Sequence, residues 1–95
     1  MKVVIEVELP DDVIDLGNNV WYNKGFRNDG TTWAGINVFH MEGERLCGPH
    51  WVPFDTIDPL RGWTLVREDP ITLSPSLLGE NGWHGWIQEG RWVPC

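Results

Sequence analysis

Turn signals interrupt this chain too often for a long helix to form. Pro10-Asp11-Asp12, Asn28-Asp29-Gly30, Met41-Glu42-Gly43-Glu44, Asp58-Pro59-Leu60-Arg61-Gly62 and Glu68-Asp69-Pro70 each bring Gly, Pro or Asp to a reversal. Strand candidates recur between them about every 8–15 residues, and no helical period lasts beyond about two turns. The 95 residues suffice for one modest core and not for two. The pattern predicts a mainly β fold: a single domain over residues 1–95, an antiparallel β-sandwich or open barrel with short strands and a C-terminal hairpin.

The strands are read from alternation. Lys2 to Leu9 places Val3, Ile5, Val7 and Leu9 on one face, the pattern of a half-buried strand. Asp12 to Gly17 is open between one turn of helix and an irregular crossing. Val20-Trp21-Tyr22 is a short strand, and Asp29-Gly30 suits a type I′ hairpin turn. Thr31 to His40 is aromatic and β-branched, with Gly35 marking a bulge or a close backbone approach. Leu46 to Phe54 carries two prolines and a glycine, so a loop is expected there with a short edge strand at His50 to Val52. Gly62 to Arg67 reads as a further strand.

Residues 71–94, ITLSPSLLGENGWHGWIQEGRWVP, form a distinct subregion with three of the seven tryptophans. Two apolar runs flank Gly79-Glu80-Asn81-Gly82, and Glu89-Gly90 offers a second reversal before Arg91 to Pro94. Pro75 belongs at an edge, a bulge or a break between strands, because it cannot donate a ladder hydrogen bond.

This subregion resembles the C-terminal end of a family of small, largely uncharacterised proteins encoded by phages of actinobacteria. The family pattern is SPSLL, a knuckle closed by Cys-x-x-Cys, then G-x-HG-x-I-x-x-GRW. The matching residues are Ser74, Pro75, Ser76, Leu77, Leu78, His84, Gly85, Ile87, Gly90, Arg91 and Trp92, about a quarter of the chain, with looser echoes at TWAGINVFH and WVPFD. Gly79 and Gly82 stand where the family has its two cysteines, so any metal held by that thiolate pair has lost its ligands here. The resemblance implies a phage setting.

Seven basic against fourteen acidic residues give a net charge of −7. That argues against direct nucleic-acid binding, which needs a clustered basic surface. No apolar run approaches the roughly 20 residues that span a bilayer, and charges break up the start of the chain before a signal peptide could form. The expected location is a virion or the host cytoplasm. Cys47 and Cys95 are too few and too far apart for a disulfide framework.

The best metal-binding pattern is Cys47-Gly48-Pro49-His50, completed by His84 and either Cys95 or His40. Zinc accepts such mixed Cys and His ligands in tetrahedral geometry. A structural site normally offers two tight pairs, and the second is missing, so the expectation is no cofactor, with zinc at Cys47, His50 and His84 as the alternative. Catalysis is not expected. A thiol and imidazole pair could be formed from Cys47, but no orienting group, oxyanion motif, acid–base carboxylate pair or phosphate loop accompanies it.

Seven tryptophans exceed what a chain of this length needs. A small core can take three or four, and exposed tryptophan is enriched at protein interfaces. Trp51, Trp83, Trp86, Arg91 and Trp92 are the interface candidates, the alternative being a cluster packed across the hairpin. Trp83 and Trp86 are three apart, so on a regular strand at most one reaches the core. The expected function is a non-enzymatic phage assembly protein, a capsid decoration, minor capsid or tail-associated component binding virion proteins through aromatic loops, with homo-oligomerisation possible. The alternative is a small acidic inhibitor of a host defence or nucleic-acid-binding protein, though only Asp11, Asp12 and Asp15 cluster tightly.

Overall fold

The computed structural model describes residues 8–79 and 82–95. Among these residues nine strands follow one another: β1 (Ile14–Gly17), β2 (Val20–Phe26), β3 (Trp33–Glu42), β4 (Arg45–Pro53), β5 (Thr64–Arg67), β6 (Thr72–Ser74), β7 (Leu77–Leu78), β8 (His84–Gln88) and β9 (Arg91–Pro94). They form three antiparallel sheets, ordered β1-β2-β3-β4, β5-β6 and β7-β8-β9. The mainly β, antiparallel reading holds, and the sheets do not close into a barrel. No helix among the described residues is long and apolar enough to cross a membrane.

The first sheet is a meander of chain neighbours. Asn18 and Asn19 both take positive φ between paired Gly17 and Val20, the geometry of a type I′ turn, which Asn tolerates. Gly43, at φ 63°, stands first in the two-residue turn between paired Glu42 and Arg45, where a type II′ turn places glycine. Alternation then sends Leu16, Val20, Tyr22, Ile36, Val38 and Val52 inward. From the other two sheets and their connections, Ile71, Leu73, Leu77, Ile87 and Trp92 meet them in one core. The third sheet is tied to the first by Asn18, whose side-chain amide donates to the Trp92 carbonyl at 2.9 Å. It is tied to the second by the Gly90 amide, which donates to the Ile71 carbonyl at 2.8 Å.

Several expectations are corrected. Residues 14–17, left open between helix and crossing, are strand β1. Residues 45–53, expected to be mostly loop, are one continuous strand. Among the described strands β4 is last in its sheet, a position where proline is tolerated, and a register shift between Val38 and His40 absorbs Gly48 and Pro49. Asp29-Gly30 is not a two-residue hairpin turn. The Asp29 carboxylate instead accepts the backbone N–H groups of Thr31 and Thr32 at 2.9 Å and the Thr32 hydroxyl at 2.6 Å, organising a wider loop. The expected strand at Lys2 to Leu9 falls on residues 1–7, outside the described residues, apart from Glu8 and Leu9, which are not in a strand. Glu80 and Asn81 of the Gly79 to Gly82 reversal also lie outside them. Glu89-Gly90 turns as expected, with both residues at positive φ, and Pro75 sits in the break between β6 and β7.

Candidate functional site

The β3–β4 hairpin brings a histidine, a glutamate and a cysteine together. Counting back from the Gly43-Glu44 turn, Glu42 pairs with Arg45 and His40 with Cys47. Directly paired residues point to the same face of a sheet, as do residues two apart on a strand. His40, Glu42 and Cys47 therefore converge on one side, and their ligand atoms all lie within 4.8 Å of one another. Nε2 of His40 is 3.2 Å from Oε1 of Glu42. His40 is only 2% exposed, and its Nδ1 is buried with no hydrogen-bond partner among the described residues.

Aromatic rings cover this corner. Trp83 stacks on His40 with centroids 4.0 Å apart and planes within 11°, and its centroid lies 5.8 Å from that of His50. The two imidazole centroids are 5.0 Å apart. Of the two imidazoles, His40 lies closer to the Trp83 ring and His50 farther from it. Trp83 also stacks on Trp92 at 4.4 Å and 2°, joining the histidine pair to the core.

The fold does not assemble the metal set Cys47, His50 and His84. His84 lies on β8, hydrogen-bonded through Nε2 to the Ser76 hydroxyl at 2.8 Å. His50 packs beside His40 but supplies no atom to the close group. Cys95 is exposed at the chain end. Cys47 does contribute, with His40, expected only as an optional completing ligand, and Glu42, which sequence reasoning missed. Its signal was present: a two-residue turn at Gly43-Glu44 fixes the pairing of His40 with Cys47 and puts Glu42 on the same face.

Packing at the start of the C-terminal hairpin leaves no room for a side chain at Gly79. The Gly79 amide donates to the Trp83 carbonyl at 2.7 Å, and a Cβ at Gly79 would stand 2.7 Å from Cε3 of the Trp83 ring. No cysteine fits at Gly79 while Trp83 keeps its stack.

The interface candidates divide. Trp92 is 3% exposed and belongs to the core, so the expectation that it lies at the surface is corrected: its indole fills the space over Gly85 beneath Trp83. Trp83 is half-buried against the core, and Trp86, half-buried on β8, points to the opposite side. Arg91 is exposed on β9. Trp51 is 48% exposed. It lies on the outer face of the first sheet, its ring flat over Gly25 and Gly35, where an added Cβ would overlap or crowd it. Beside it a polar row crosses the strands: the Asn37 amide donates to Asn23 at 3.0 Å, and the Asn23 amide to Asp12 at 3.1 Å.

Compared with protein-family models, with characterised proteins and with solved structures, the chain shows no match in any of the three.

Proposed function

We propose that this chain is a non-enzymatic binding module of the assembly type, which docks on another protein through the outer face of its four-stranded sheet. The observation that carries this reading is Trp51. Its indole is exposed yet already laid flat across two glycines, so it offers a large apolar surface whose conformation is set before a partner arrives. Ordered aromatic anchors of this kind supply much of the energy of protein interfaces, and pre-organisation lowers the entropy lost on docking. The Asp12–Asn23–Asn37 row next to it provides polar groups at the rim. The resemblance of residues 71–94 to phage proteins supports a virion capsid or tail protein as the partner.

The test is to quantify the chain against the major capsid protein in purified particles by mass spectrometry, for the native sequence and for Trp51→Ala. A fixed ratio for the native chain, lost in a variant whose circular dichroism is unchanged, is the expected result. Absence of the native chain from particles removes the virion reading. Incorporation unaffected by Trp51→Ala removes this face as the docking surface.

A further inference from the structure

We propose that the β3–β4 hairpin carries a site for a divalent transition metal of the zinc class, with the His40 imidazole, the Glu42 carboxylate and the Cys47 thiolate as its protein ligands. The site is independent of the docking face, because these three side chains point to the side of the sheet opposite Trp51.

Three observations converge. The ligand atoms are already gathered within 4.8 Å by strand pairing, without any distant loop having to close. Bonds of about 2.0–2.3 Å in a tetrahedral site set ligand atoms roughly 3.3–3.8 Å apart, so metal entry asks only for a shift of about 1 Å in these side chains. The second observation is the setting of His40. The ring is buried and held against Trp83, and among the described residues its hydrogen bond is made inside the cluster, with none at Nδ1. A leucine would fill the same space without the cost of burying an unsatisfied nitrogen. An imidazole held in one orientation with Nε2 facing a carboxylate is arranged as a ligand. The third is chemical: nitrogen, carboxylate oxygen and thiolate together suit a borderline-soft ion, whereas calcium and magnesium take oxygen ligands.

Binding at Nε2 requires the His40 proton to sit on Nδ1, and Cys47 loses its thiol proton to the solvent as the Sγ–metal bond forms. The Glu42 side chain is 33% exposed, and among the described residues the three protein ligands leave a fourth position for a further ligand.

The experiment is a titration of the reduced, full chain with Co²⁺, followed by Zn²⁺ competition. Absorbance reads the sulfur-to-cobalt charge-transfer band, and tryptophan fluorescence reads Trp83. The expected result is one cobalt per chain, a charge-transfer band displaced by zinc, and a fluorescence change that tracks it. Cys47→Ser should abolish the band. Glu42→Gln should weaken binding about tenfold or more, since even residues that only support a metal ligand are worth about 10–100-fold. Glu42 is at the surface, so its variant keeps the test open if His40→Gln fails to fold. Cys95→Ser and His84→Gln should change nothing. Absence of the band, its loss in Cys95→Ser instead of Cys47→Ser, or unchanged affinity in Glu42→Gln would each overturn the proposal.

Discussion

Trp92 and Trp51 are set by the same local construction and meet opposite fates. Trp92 pairs with Ile87 and lies over Gly85, two residues back on the neighbouring strand. Trp51 pairs with Asn37 and lies over Gly35, again two residues back, reaching Gly25 beyond it. In both cases missing Cβ atoms make a trough that holds an indole flat, an arrangement in which an aromatic ring shields strand glycines. Trp92 is then covered by Trp83 and becomes core, whereas Trp51 keeps about half its surface in solvent. A glycine trough fixes how a tryptophan lies; what packs over it decides whether the ring supports the fold or faces a partner.

The largest effect belongs to Trp92. Trp92→Ala should cost about 3–5 kcal/mol, the range for removing a large buried ring, which is enough to unfold a marginal domain of this size. Denaturant unfolding checks it, and a loss below about 1 kcal/mol would mean that Trp92 is no more buried in effect than Trp51.

The glycines sharpen it next. A methyl group at Gly85 would overlap the Trp92 ring and stand 2.7 Å from the Val93 carbonyl oxygen, which cannot move away cheaply. Gly85→Ala should therefore cost about 1–3 kcal/mol, as overpacking does. The three atoms nearest a methyl group at Gly25 all belong to the half-exposed Trp51 ring, which can swing into solvent, so Gly25→Ala should cost less than about 1 kcal/mol. Equal costs, measured by the same unfolding experiment, would erase the distinction between the two troughs.

The two regions should also answer to different ends of the pH scale. Tyr22, on the inner face, has its phenol pushed above its ordinary value, first by burial and then by the Asp69 carboxylate. A raised phenol favours the protonated native state, so this contribution is complete below the ordinary value near 10 and is lost as pH rises through the raised one. Denaturant midpoints followed into alkali should fall as phenolate absorbance appears. The smallest effect belongs to the solvent-facing loop. The Thr32 hydroxyl, then the Thr32 and Thr31 amides, hold the Asp29 carboxylate down to about 2. Its contribution is present above the ordinary carboxylate value of about 4 and is lost as pH falls through about 2. Carboxylate NMR titration should show that midpoint, with faster exchange of the Thr31 and Thr32 amides in Asp29→Asn.

Most of the β architecture was legible because alternation and turn chemistry agreed. Thr31 to His40 declared a strand, Glu89-Gly90 a reversal and Pro75 a break. Of β4 only His50 to Val52 was legible as a strand, because Gly48, Pro49 and Pro53 read as loop residues. The Asn18-Asn19 turn was hidden because Asn reaches positive φ less predictably than Gly, while Asp29-Gly30 drew the hairpin assignment that its carboxylate then diverted into a capped loop. Of the candidate site, Cys47 was visible by residue type. Glu42 became visible only through strand pairing, and the misread β4 concealed that pairing.

One feature of the topology reaches beyond architecture into kinetics. Among the described strands, every ladder joins a strand to its immediate neighbour in the chain, from β1-β2 through β8-β9. Each hairpin can thus form after closing only a short loop, which keeps the entropy of the early steps low and favours speed for a β protein. The costly encounters come afterwards, when Trp83 of the C-terminal segment reaches His40 and Asn18 reaches Trp92, 74 residues away. Docking of these distant aromatic surfaces is the step that joins the hairpins into one core.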